Sequence, residues 1–193
     1  MVRLKYQAVV IGASAGGIES FKKLLEEIGD FLDIPVMIVQ HIKKSKNSNL
    51  AELFSGMSGL NVREAAPNEP VLPATIYFAP ADYHLAVEQG RTLTLLATEP
   101  INYSRPSIDV LFKTAAEVYR ESLIGIVLTG SSHDGAEGLA QIRDLGGCTI
   151  VQSPDEAEYS IMPLAALKRV DTSFTGTIKE IADYLKKQLA DTV

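Results

Sequence analysis

Ser14 stands in Gly12-Ala13-Ser14-Ala15-Gly16-Gly17, a Gly-x-Ser-x-Gly turn that follows the apolar run Ala8-Val9-Val10-Ile11. Small neighbours permit a sharp strand-to-helix turn that pushes a hydroxyl outward. The amides opening the next helix then face any negative charge that develops on an attacked carbonyl. The same turn is also the form of a phosphate cradle or of a purely structural glycine corner. Two more polar residues occupy comparable positions. His41 follows the apolar run Val36 to Gln40, and Asp134 lies in Thr129-Gly130-Ser131-Ser132-His133-Asp134-Gly135, after Ile124 to Leu128. Taken singly, His41 could be a polar strand-end residue and Asp134 the N-cap of the helix that follows it. Taken together, the three supply nucleophilic acyl chemistry: an imidazole takes the hydroxyl proton, and a carboxylate fixes the imidazole tautomer and stabilises the imidazolium. Asp82 and Asp109 are rival carboxylates, neither of which follows a parallel-strand pattern.

A dinucleotide-binding reading meets two obstacles. Gly-x-Gly-x-x-Gly requires glycine at position 14, where this chain has serine. The second strand should end in Asp or Glu to hold a ribose hydroxyl, and it ends in Gln40-His41 instead. A Rossmann-like nucleotide-binding oxidoreductase therefore stays only as an alternative. The other histidines are His84, in the proline-rich middle, where it is either structural or lines the site, and His133, whose place beside Asp134 in a tight turn points it elsewhere. Lys43, Lys44 and Lys46 form a basic cluster after His41. They are either a solvated loop or a docking patch for an acidic, glutamate-rich helix.

The elements that must hold these residues follow from periodicity. Ile18, Phe21, Leu24, Leu25 and Ile28 lie on one helical face, with Gly29 as C-terminal cap. Pro35 to Val39 is a continuous apolar run, as in a strand buried on both faces. These make a βαβ unit with its glycine turn at the carboxyl end of the first strand. Between Asn61 and Ala97 four prolines break short alternating segments, and Leu85 to Glu88 and Thr92 to Leu96 flank Gln89-Gly90, which predicts an antiparallel hairpin inserted into the sheet. The α/β rhythm then returns: a helix over Ser107 to Arg120, a strand from Ile124, a helix around Leu139 to Leu145, a strand from Cys148 to Val151, and an amphipathic helix over Ile178 to Leu189. The fold class expected is α/β, a doubly wound, mainly parallel, Rossmann-like three-layer sheet with an inserted antiparallel hairpin. In such sheets ligands bind outside the carboxyl ends of the strands, where Ser14, His41 and Asp134 all fall.

Composition sets outer bounds. With 193 residues the chain is expected to form a single domain spanning 1–193, burying roughly 70% of its unfolded surface without disulfide or metal. A net charge of −6 argues against a nucleic-acid partner, which requires a basic stripe. Cys148 is the single cysteine, so no internal disulfide and no cysteine metal pair exist, and a buried thiol in a strand is expected. No apolar run approaches a membrane span or a signal peptide, so no membrane insertion and a cytoplasmic location are expected. No cofactor and no metal site are expected.

At this point the sequence resembles the catalytic domain of the CheB-type chemotaxis methylesterases (protein-glutamate methylesterases). The likeness runs from Val9 to about Leu185. Its blocks are Ile11 to Gly17, Gln40-His41-Ile42, Ile76 to His84, Arg105-Pro106-Ser107-Ile108-Asp109-Val110-Leu111-Phe112, Val127-Leu128-Thr129-Gly130 and Asp134-Gly135-Ala136-Glu137-Gly138. The resemblance implies a catalytic triad of Ser14, His41 and Asp134, with oxyanion donors from the backbone amides of Ala15 and Ser131. It implies hydrolysis of glutamyl γ-methyl esters on methylated chemoreceptors or a similar signalling protein, and in many members deamidation of receptor glutamines. Three departures stand out. Family members usually carry an N-terminal receiver domain, whereas this chain starts at the catalytic domain, so it is read as a stand-alone catalytic domain whose control is unexplained, with a separate regulatory protein as one candidate partner. The family's His-x-Pro-Pro stretch is here His41-Ile42-Lys43-Lys44, and Ser131 stands where methionine is frequent. These departures leave a second alternative, a catalytically silent regulatory module of the same fold.

Overall fold

The structure, a computed structural model, describes residues 5–42, 50–56 and 61–190. The first βαβ unit forms as its periodicity requires, from β1 (Ala8–Ala13), α1 (Gly17–Ile28) and β2 (Val36–Gln40). Gly29 does not take the left-handed cap conformation. Its φ is −51°, and residues Gly29–Phe31 tighten into a 3₁₀ turn that Leu32 N–H closes on Gly29 O, bringing the Leu32 side chain into the core.

The proline-rich middle contributes more to the sheet than alternation suggests. After the short α2 (Leu50–Phe54), β3 (Asn61–Glu64) and β4 (Thr75–Phe78) extend the sheet beyond β2, both in parallel register. The expected hairpin forms as β5 (His84–Val87) and β6 (Leu93–Leu96), antiparallel with Val87 opposite Leu93. It stands as a sheet of its own, packed on α3 (Ile108–Tyr119), instead of lying within the parallel sheet. The remainder alternates: β7 (Leu123–Val127), α4 (Ala136–Asp144), β8 (Cys148–Gln152), α5 (Ile161–Arg169), β9 (Phe174–Gly176) and α6 (Ile178–Ala190). Cys148 is buried at the start of β8, with Sγ 3.9 Å from the Tyr184 hydroxyl.

The large sheet has the order β3-β4-β2-β1-β7-β8-β9, and every pairing among the described residues is parallel. Strand alternation divides the core into two layers. Val9, Ile11, Ile124 and Ile126 meet Phe21, Leu24 and Leu25 of α1 and Ile181 and Leu185 of α6. Ala8, Val10 and Val127 meet Ile108, Leu111 and Phe112 of α3 and Leu139 and Ile142 of α4. Chain order runs outward from β1 in one direction through β2 and returns on the other side at β7. The switch point of this doubly wound sheet therefore lies between the carboxyl ends of β1 and β7, the place where such sheets open a crevice.

Candidate active site

Ser14 leaves β1 at that switch point. Its amide donates to Thr129 O at 3.0 Å, and its carbonyl accepts from Gly17 N at 3.0 Å and from Gln40 Nε2 at 2.6 Å. Gly16 then takes a φ of 77°, which glycine adopts freely and which turns the chain into α1. The close approach sits two residues before Ser14, within β1. A Cβ at Gly12 would overlap Ile108 at the start of α3, so only glycine lets that helix reach the strand end. Gln40, 4% exposed, ties the turn to its neighbour by donating also to His41 O at 2.9 Å. The end of β2, where a dinucleotide site would present an acid, is thus occupied by a glutamine and an imidazole that belong to the Ser14 turn.

His41 N–H continues the β1–β2 ladder onto Ala13 O, and its side chain, 11% exposed, turns toward β7. There Nε2 donates to Asp134 Oδ2 at 2.8 Å. With the proton kept on Nε2 by that bond, Nδ1 is the acceptor nitrogen of the neutral ring, and Ser104 Oγ lies 3.4 Å from it. The structure thus brings His41 and Asp134 into direct contact, with the two ring nitrogens in distinct roles. Ser14 and His41 line one open cavity of about 810 Å³, together with Ala15, Ser104, Arg105 and Ser131. Among the described residues Ser14 Oγ has no hydrogen-bond partner, and the amides of Ala15 and Ser131 have no acceptor.

Asp134 is fully buried and does not cap the helix that follows it. Its carboxylate instead caps α3 across the crevice: Oδ2 accepts Ile108 N at 2.6 Å, and Oδ1 accepts Asp109 N at 3.2 Å and Ser107 Oγ at 2.8 Å. Asp109, expected only as a rival carboxylate, returns the arrangement, since its Oδ1 accepts Gly135 N at 3.1 Å and Gly138 N at 2.7 Å at the start of α4. Each of the two helices is capped by an aspartate from the other's neighbourhood. Asn102 Nδ2 bridges the pair, 3.0 Å from Asp109 Oδ2 and 3.1 Å from Asp134 Oδ1.

The two carboxyls titrate in opposite directions. Burial pushes Asp134 up, but the His41 hydrogen bond and charge, with the Ile108 amide and Asn102, outweigh burial and hold it below the ordinary aspartate value. Burial also pushes Asp109 up, and there the Gly138 amide does not overcome it, while the neighbouring Asp134 charge adds to the rise. The remaining candidates lie nearby in other roles. His84 is fully buried; its Nδ1 accepts Ser107 N at 3.0 Å, and its Nε2 meets Glu99 O at 3.1 Å, so it fixes the approach to α3. Asp82 pairs with Arg105 at 2.6 Å on the cavity side, and His133 is exposed on its rim. Lys43, Lys44 and Lys46 lie outside the described residues. Asn102, Ser104 and Ser107 were not singled out by the sequence. The available signal was Asn102 by itself, since asparagine enters positive φ readily whereas tyrosine at position 103 gives no sign of the turn.

A doubly wound parallel sheet that presents a serine, an imidazole and a buried carboxylate around its switch point is an α/β scaffold carrying the side-chain set of serine hydrolases. The chain belongs to the CheB methylesterase family, whose model matches residues 9–185. It is 39% identical over 180 residues to a putative protein-glutamate methylesterase/protein-glutamine glutaminase of Leptospira interrogans, covering 93% of each chain. It is 38% identical to protein-glutamate methylesterase/protein-glutamine glutaminase 1 of Carboxydothermus hydrogenoformans, covering 83% of this chain and 49% of that one, so it spans about half of that relative. The crystal structure of the Thermotoga maritima CheB methylesterase catalytic domain superposes with a TM-score of 0.88 at 29% identity, covering 94% of this chain and 98% of that domain. No helix among the described residues is long and apolar enough to cross a membrane.

Proposed function

We propose that this chain is a protein-glutamate methylesterase acting on methylated chemoreceptors, with glutamine deamidation as a second activity, and that residues 1–193 form one catalytic domain. The observation that carries the reading is the His41 Nε2–Asp134 Oδ2 bond of 2.8 Å beside a cavity that Ser14 also lines. Asp134 orients the imidazole and holds its proton on Nε2, which leaves Nδ1 to remove the Ser14 proton. Ser14 Oγ bonds to the γ-carbonyl carbon, and the developing oxyanion is met by the Ala15 and Ser131 amides, which have no acceptor among the described residues. The carbon–methoxy bond breaks and methanol departs with the proton from His41. Water then attacks the acyl-enzyme, His41 takes its proton, and the glutamate carboxylate leaves as Ser14 recovers its hydrogen. With a glutamine substrate ammonia is the leaving group. A distinct regulatory protein and a cytoplasmic setting complete the proposal.

The test is methanol release from methylated receptor membranes. Ser14→Ala should lower turnover on the order of 10⁴-fold or more. A Ser14→Ala protein that matches the wild-type rate refutes the assignment.

A further inference from the structure

Resting on this reading, we propose that Asn102 is a positioning residue of the reaction: its amide is shared between the buried carboxylates of Asp109 and Asp134 and keeps the latter aimed at His41. Five donors besides Asp134's own chain neighbours converge on that carboxylate. The Ile108 and Asp109 amides are fixed by the start of α3, and Ser107 is anchored by His84. His41 is the group to be positioned. Asn102 arrives on an exposed turn between Ile101 and Ser104, anchored neither by α3 nor by the sheet.

That turn is built to deliver the amide. Ile101 and Ser104 exchange two backbone hydrogen bonds, of 3.1 and 2.9 Å, around Asn102 (φ 51°) and Tyr103 (φ 62°). This is the two-residue primed turn, and asparagine is among the few side chains that enter it readily. The two Asn102 N–H groups serve one carboxylate each. Two carboxylates this close repel when both are charged, and a neutral double donor between them relieves that repulsion without adding a third charge. The same turn sets Ser104 Oγ 3.4 Å from His41 Nδ1, so it touches the imidazole pair at both ends. Tyr103, between them, is fully exposed on the cavity side and bonds to neither.

Two variants separate positioning from the turn itself. Glycine and aspartate both accept positive φ at position 102, so both keep the turn. Asn102→Gly removes the shared donor and admits water; Asn102→Asp places a third carboxylate between the other two. The expected result with methylated receptor is a kcat about tenfold lower for Asn102→Gly and lower still for Asn102→Asp, with KM within about twofold for both. A second readout needs no substrate: the downfield proton resonance of His41 Nε2–H, assigned by its absence in His41→Gln, should shift or broaden in both variants. Equal, near-wild-type kcat in the two variants with an unmoved resonance overturns the proposal, and so does a loss confined to KM. If the wild-type protein releases no methanol, the functional reading falls, while the resonance still decides what Asn102 does.

Discussion

The two ends of the crevice are built on opposite principles. At the carboxylate end Asp134 is fully buried and receives an imidazole, two helix amides, a hydroxyl and an asparagine amide. At the serine end the backbone is held just as firmly, by Thr129, Gly17 and Gln40, yet Ser14 Oγ and the amides of Ala15 and Ser131 have no partner among the described residues. A buried charge must be satisfied completely or it destabilises the fold, so its surroundings are closed and specific. On the proposed mechanism Ser14 exchanges partners during turnover, and its open surroundings suit that role. Preorganisation here consists in finishing one end of the site and leaving the other incomplete.

The contrast breaks most visibly if stability and activity are measured on both ends. Asp134→Ala should lower turnover about as severely as Ser14→Ala and also cost about 3–5 kcal/mol of stability, because it strands an imidazole and four other donors. Ser14→Ala should remain within about 0.5 kcal/mol of wild type in urea unfolding, since no bond is lost. Equal stabilities for the two variants would erase the distinction drawn between the ends. A smaller effect is expected at Gly12, where the two ends meet. Gly12→Ala drives a methyl into Ile108, so about 1–3 kcal/mol should be lost. Turnover should fall with it, because the displaced residue carries an amide that holds Asp134. Undiminished turnover would show that α3 can shift without disturbing the carboxylate.

The smallest effect lies in acid. Asp134 titrates below its unfolded value of about 3.9, so its stabilising contribution is complete above that pH and disappears as pH drops through the lower folded value. Asp109 has the opposite sign: its folded value is raised, so its contribution is complete below the unfolded value and fades as pH rises through the folded one. The urea midpoint of the wild-type protein should therefore fall more steeply below about pH 4 than that of Asp134→Asn. Parallel acid limbs for the two proteins would remove Asp134 as the source.

Much of this was legible in the sequence. Ser14, His41 and Asp134 each follow a strongly apolar run, and the sheet rule alone places them on one edge. Strands β3 and β4 were harder to see, because prolines at 67, 70 and 73 mask them and β3 is a four-residue strand at the sheet edge with no apolar run. The roles of Asp109 and Asn102 were illegible for another reason. Asp109 lies one residue inside a helix, and Asn102 in a turn six residues before it. Nothing in local periodicity reports that the starts of α3 and α4 approach each other. That approach depends on glycines at positions 135 and 138, where a Cβ would overlap Ile108 and Phe112 of α3, and on a bond between residues 27 positions apart, Ser107 and Asp134.

The crossed caps tie proposed activity to the intactness of one corner of the protein. Asp134 holds the start of α3, and Asp109 on that helix holds the start of α4. If α3 frays from the strand end, the imidazole loses its orienting carboxylate at the same moment that α4 loses its cap. On the proposed mechanism such a molecule is silent, and local opening at this corner suffices to silence it without the sheet coming apart.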